Sequence, residues 1–110
     1  MIKGIGCDIV DLNRLKLEND KFVLKILTPN EYQIYVSKKT IKQKREFLGG
    51  RFAAKEAYFK AYGIRNNLVS FHDIEIVNDK LGKPVINQFN THLSIAHEND
   101  YAIAYIIIED

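Results

Sequence analysis

Residues 49–63 read GGRFAAKEAYFKAYG, and the helix they describe decides both the fold and the chemistry. At 100° per residue, Leu48, Phe52 and Phe59 fall within about 40° of one another, while Phe47, Ala54, Ala57, Tyr58 and Ala61 cover most of the other side. The pattern predicts one helix from about Lys42 to Tyr62, packed on both flanks and stopped by Gly63. Four charges nevertheless sit on it, with Arg51 and Lys55 on one i, i+4 line and Glu56 and Lys60 on another. On an open helix surface the Glu56–Lys60 spacing is an ion pair contributing about 0.2–0.5 kcal/mol. On a helix with little solvent face, a carboxylate beside Phe52 and Phe59 must be paired or metal-bound to stay ionised, and a phosphate would satisfy Lys60. Spacing alone leaves both readings open.

Working outward, GIGCDIVDLNRL at the N-terminus alternates Ile5, Cys7 and Ile9 against Gly6, Asp8 and Val10, which predicts a strand from Ile2 to Leu12. Aspartate is depleted in strands, so Asp8 is either an edge or turn carboxylate or one of two lone carboxylates in an oxygen-only site completed by phosphate and water, the way Mg²⁺ is usually held. Nothing in the composition brings Asp8 near Glu56. Asp11 and Asn13 favour a turn or helix start, and Thr28, Pro29 and Glu31 have the spacing of a capping box, predicting a helix from Pro29 to about Lys38. In SFHDIEIVND, Ile74 and Ile76 share a face opposite Asp73 and Glu75. NDKLGKP is a hairpin turn into VINQF, and HLSIAH and YAIAYIII flank the turn HEND as a second hairpin. Most strands therefore lie in the C-terminal half, and the absence of repeats and linkers predicts one domain over residues 1–110. Two further polar candidates are His97 at a strand end, a position more often structural, and Lys83 beside Gly82 in the LGKP turn. A turn lysine is more often solvated, although a Gly next to a Lys lets backbone and ammonium meet a phosphate together.

A chain of 110 residues buries only about two thirds of its unfolded surface, so oligomerisation is expected to add stability. One cysteine, Cys7, excludes a disulfide framework or Cys-rich zinc site, fits a reducing compartment and reads as a small buried hydrophobe. No secretory h-region and no run of about 20 apolar residues is present, which predicts a cytoplasmic protein that does not cross a membrane. The net charge of +2 does not announce a nucleic-acid binder, although SKKTIKQKR at residues 37–45 concentrates Lys and Arg, as a solvated helix end or as a patch for an acidic partner or phosphate. An RNA-binding module is the least favoured alternative, because no aromatic-basic strand signature accompanies that patch.

Together GIGCDIVDLNRL, ILT with Glu31 after it, EFLGGRFAAKEAYFKAYG, SFHDIEI, GKP and HLSIAHE resemble the holo-acyl-carrier-protein synthases, a group of phosphopantetheinyl transferases, in order and rough spacing over essentially the whole chain. The resemblance implies an α+β phosphopantetheinyl transferase fold, a long helix packed on a mainly antiparallel sheet, assembling as a homotrimer with active sites between subunits. It implies transfer of 4′-phosphopantetheine from coenzyme A to a serine hydroxyl of apo acyl carrier protein, releasing adenosine 3′,5′-bisphosphate, in the service of fatty acid synthesis. Asp8 and Glu56 match the Mg²⁺-holding carboxylates, and Lys60 matches the phosphate contact and completes the catalytic set. Arg51, Lys55, Gly82, Lys83, Pro84 and His97 are the expected contacts for the adenosine end of coenzyme A. Arg14 matches a carrier-docking position that Lys16, Lys21 and Lys25 extend. The serine proton is expected to pass to water acting through Glu56, ahead of Glu31. The chain departs from the family in YGIRNNLV, where a Gly-rich stretch is usual, so the loop over coenzyme A is expected to differ; it also departs at Ala96, at the Gly49–Gly50 pair and at Cys7. A catalytically inert binder of coenzyme A or carrier protein is the main alternative.

Overall fold

A computed structural model describes residues 1–63 and 70–110. The departing loop at 64–69 lies outside the described residues. Strand β1 (Ile2–Asp11) leads through a 3-10 turn (Leu12–Arg14) to helices α1 (Asp20–Ile26), α2 (Pro29–Ser37) and α3 (Ile41–Tyr62). A second 3-10 turn (Phe71–Asp73) precedes β2 (Ile76–Asn78), β3 (Pro84–Ile86), β4 (Thr91–Glu98) and β5 (Tyr101–Glu109). The main sheet has the antiparallel order β1-β5-β4, and β2 and β3 pair separately. This is the expected α+β arrangement of one long helix against a mainly antiparallel sheet.

The local signals explain the elements. Thr28 and Glu31 exchange side-chain and backbone hydrogen bonds in a complete capping box at the start of α2, and Thr40 and Gln43 repeat the device at α3. Gly63 ends α3 at φ 90°, a conformation few side chains accept. Helix α1 has no counterpart in the sequence reading, because seven residues capped by Asn19 carry too little periodicity to announce themselves.

Helix α3 lies across β1 and β5. Val10, Ala102, Ala104, Ile106 and Ile108 of the sheet meet Leu48, Ala53, Ala54 and Ala57 of the helix in the core. The covered face of β1 is therefore the one carrying Gly6, Asp8 and Val10. The other face is bare: Ile5, Ile9 and Tyr105 expose 68%, 61% and 55% of their surfaces, and Tyr101 and Ile107 join them. Cys7 sits on this outer face and is exposed, so the expectation of a buried cysteine fails; with Ile5 and Ile9 it belongs to the side that α3 does not cover. Among the described residues no helix is long and apolar enough to cross a membrane.

Candidate functional site

The four charges of α3 separate into two pairs with different fates. Glu56 and Lys60 turn toward β1, and the glycines of that strand bring the two elements together. A Cβ at Gly6 would overlap the carbonyl oxygen of Ala57, and one at Gly4 that of Ala61, so only hydrogen at these positions lets β1 lie directly on the α3 backbone. Two residues beyond Gly6 on the same face, Asp8 arrives beside the helix. Lys60 Nζ donates to Asp8 Oδ1 at 2.9 Å and to the Cys7 carbonyl at 3.1 Å. The expected i, i+4 partner of Lys60, Glu56, is replaced in this ion pair by the strand carboxylate, because the strand passes closer to the ammonium.

Asp8 and Glu56 both line one cleft of about 630 Å³, with Asp11, Arg14, Phe22, Phe52 and Tyr101 around them. The Glu56 carboxyl is held above its ordinary range, first by burial and then by the like charge of Asp8, with Lys60 opposing. The Lys60 ammonium is raised by its hydrogen bond to Asp8. Two carboxylates on separate elements, one of them uncomfortable as an anion, form an oxygen donor set that a hard divalent cation would relieve. Among the described residues no group of three or more His, Cys, Asp or Glu side chains gathers to cage a metal. The donor set therefore fits an ion such as Mg²⁺, which keeps several waters and takes further oxygens from a substrate phosphate.

Arg51 and Lys55 point elsewhere. Lys55 is fully buried, and its Nζ donates to Glu31 Oε1 at 2.6 Å, to the Ile26 carbonyl at 2.7 Å and to the Phe71 carbonyl at 3.1 Å. Glu31 is equally buried; it also accepts the backbone N–H of Thr28 and, at 2.6 Å, that of Ile76. Burial lowers the Lys55 ammonium, and its hydrogen bond to Glu31 counters it. Expected as a nucleotide contact and as a base candidate, Lys55 and Glu31 are instead each sealed in the core with their hydrogen bonds already made. The signal for this was in the sequence, as the capping-box glutamate and a lysine on the densest stretch of α3, but pairing them across 24 residues required the fold.

Arg51 is buried against the Phe47 ring, 4.1 Å from its centroid, and donates to the Ile76 carbonyl and to Asn78 Oδ1. Burial brings its guanidinium down to about 10, still cationic at neutral pH. It lines a small cavity of about 200 Å³ with Lys38, Glu46, Asn78 and His97, whose Nδ1 lies 3.2 Å from Glu46 Oε2. Asn78 in turn donates to the Gly82 carbonyl, which ties the Gly82–Lys83–Pro84 turn to Arg51. Arg51, His97 and this turn are thus brought into one neighbourhood. Asn78 is the residue that sequence reasoning missed; an asparagine closing a strand before a Gly-Lys-Pro turn was its only mark.

Within one chain the two clusters occupy different faces of α3. Five residues separate Arg51 from Glu56, a rotation of about 140° and a rise of about 7.5 Å. Arg14, Lys16, Lys21 and Lys25 are all exposed, Arg14 at the rim of the carboxylate cleft and Lys21 and Lys25 on α1.

Comparison with known proteins gives the family. A family model described as the 4′-phosphopantetheinyl transferase superfamily matches residues 4–106. The chain is 52% identical to the holo-[acyl-carrier-protein] synthase of Geobacillus sp. (strain WCH70), over 99% of this chain and 98% of the relative. The crystal structure of a holo-(acyl-carrier-protein) synthase from Bacillus anthracis str. Ames in complex with CoA (3′,5′-ADP) superposes with a TM-score of 0.88 at 46% identity, covering 97% of this chain and 96% of that one. The Neisseria meningitidis holo-[acyl-carrier-protein] synthase gives 0.83 at 36% identity, with both chains covered completely. With its long helix, its strand glycines and its paired carboxylates in these places, the chain belongs to the 4′-phosphopantetheinyl transferase superfamily.

Proposed function

We propose that this chain is a single-domain transferase that moves 4′-phosphopantetheine from coenzyme A to a serine hydroxyl of apo acyl carrier protein. The serine oxygen bonds to the phosphorus that carries pantetheine, the pyrophosphate P–O bond breaks, and adenosine 3′,5′-bisphosphate leaves as the hydroxyl proton is released. The observation that carries the reading is the meeting of Asp8 and Glu56 at one cleft, with Lys60 bonded to Asp8, in a chain 46% identical to a synthase crystallised with CoA (3′,5′-ADP). Phosphoryl transfer asks a protein mainly for positioning and charge neutralisation, and no covalent enzyme intermediate is required.

Asp8 and Glu56 are the residues that would hold Mg²⁺, which when bound would neutralise charge on the pyrophosphate. Lys60, half exposed on a flexible stem, reaches a phosphate oxygen and stabilises charge that develops on the leaving group. Glu56 orients the water that receives the serine proton, since Glu31 is buried and occupied. Arg51, His97 and the Gly82–Pro84 turn receive the adenosine end of coenzyme A. Because they face away from Glu56 on the same helix, the reading has three copies assemble so that one copy's carboxylates meet a neighbour's nucleotide cluster. The bare apolar face of β1 and β5 supports such an assembly. Acyl carrier protein, an acidic partner, docks against Arg14, Lys16, Lys21 and Lys25. The reading places the reaction in the cytoplasm.

The test is intact-mass analysis of an apo acyl carrier protein incubated with this chain, coenzyme A and Mg²⁺, beside an EDTA control. A gain of one phosphopantetheine only with metal is the expected result. No gain with several different carrier proteins would overturn the transferase assignment in favour of an inert binder of the same fold.

A further inference from the structure

We propose that Lys60 and the divalent cation compete for Asp8, so that coenzyme A raises the cation affinity of the carboxylate pair by drawing the Lys60 ammonium onto its pyrophosphate. The inference rests on the metal and phosphate roles given above to Asp8, Glu56 and Lys60, and adds an order and a coupling to them.

Asp8 already has a cationic partner within the chain. Lys60 Nζ stands 2.9 Å from Asp8 Oδ1 and is steadied by the Cys7 carbonyl at 3.1 Å. A cation coordinated by Asp8 Oδ1 at about 2.1 Å would lie within about 5 Å of that ammonium, close enough for strong like-charge repulsion in a half-buried cleft. The ammonium must therefore be displaced or the cation is held weakly. Displacement is possible because the Lys60 side chain is 49% exposed, whereas Asp8, at 19%, is fixed on a strand pressed against α3. An anion that takes the ammonium leaves Asp8 and Glu56 with two uncompensated negative charges facing one cleft. The Glu56 carboxyl already feels both neighbours, Asp8 against its ionisation and Lys60 for it. Lys60 thus acts as a placeholder that gives up Asp8 when pyrophosphate arrives. By linkage, cation and coenzyme A each tighten the other's binding by the same factor, and coupling of this kind typically amounts to about 5- to 150-fold.

The test is equilibrium binding of Mn²⁺, with free ion read by electron paramagnetic resonance, with and without coenzyme A and corrected for Mn²⁺ bound by coenzyme A alone. Lys60→Gln is expected to bind Mn²⁺ at least about fivefold more tightly than the unmodified chain in the absence of coenzyme A, and its enhancement by coenzyme A is expected to shrink by a similar factor. Phosphate oxygens that join the cation directly help both forms, so the difference isolates Lys60. Lys60→Arg keeps a cation at Asp8 and should resemble the unmodified chain; circular dichroism checks that both variants are folded. If Lys60→Gln binds Mn²⁺ no more tightly than the unmodified chain, while Asp8→Asn weakens binding, the competition is overturned and the metal assignment stands. If neither Asp8→Asn nor Glu56→Gln changes Mn²⁺ affinity, the metal assignment itself fails, and this inference with it.

Discussion

At Glu56, burial and the charge of Asp8 act in the same direction, and Lys60 relieves them only in part. A carboxyl whose pKa is raised by folding disfavours the folded state once it ionises, so stability tied to Glu56 is greatest at low pH and is lost as pH rises through the folded pKa. Glu56→Gln should therefore stabilise the fold near neutral pH, by less than about 1 kcal/mol because the site is partly solvated. The gain should vanish in acid, where Glu56 is itself neutral. Thermal melts at the two pH values check this, and the same variant, like Asp8→Ala, should lose transfer activity by at least about 100-fold. The other half of α3 responds in the opposite way. Lys55→Met would strand the Glu31 carboxylate in the core and is expected to cost about 3–5 kcal/mol in denaturant unfolding, with Glu31→Gln in the same chain recovering part of the loss.

Among the elements, the contact between β1 and α3 sets the spacing on which the site depends. Gly6→Ala would push the strand off the Ala57 carbonyl, at a cost of about 1–3 kcal/mol or more, and would move Asp8 away from Glu56 and Lys60. Unfolding midpoint and transfer rate should fall together in this variant, whereas Asp8→Ala should lower the rate alone. Helix α1 carries the proposed docking lysines. Its exposed Lys21 and Lys25 stand one turn apart on the same side of the helix. Lys21→Glu with Lys25→Glu should raise the KM for carrier protein while leaving kcat nearly unchanged, and steady-state rates at increasing salt should show the gap closing as the charges are screened.

For the whole molecule, one sheet face packs on α3 and the other carries Ile5, Ile9, Tyr101, Tyr105 and Ile107 in the open. If three copies bury this face, Ile9→Lys should convert a species of three chains into single chains by light scattering. Activity should fall with assembly, since Arg51 and His97 of one chain face away from its own carboxylates. A fully active single chain would overturn the shared-site reading.

The sequence by itself determined the elements whose causes are local. The period of residues 42–62 predicts α3 to within a residue of its start, Thr28 and Glu31 cap α2, and the Gly-Lys-Pro and His-Glu-Asn-Asp turns mark both hairpins. The motif resemblance also pointed to Asp8, Glu56 and Lys60, but not to how they meet. Contacts across many residues were decided by the tertiary structure. Alternation along β1 shows that Ile9 and Asp8 point to opposite sides, yet it does not say which side a helix covers, and so Cys7 was expected in the core. Lys55 has the spacing of a surface charge on α3 and the composition of a phosphate contact. Only the approach of α2 and of the Phe71 turn shows that its ammonium is already satisfied. Periodicity is a property of a segment, while burial and charge pairing depend on which segments meet. That is why α3 could be read from residues 42–62 alone, and the division of its four charges between core and cleft could not.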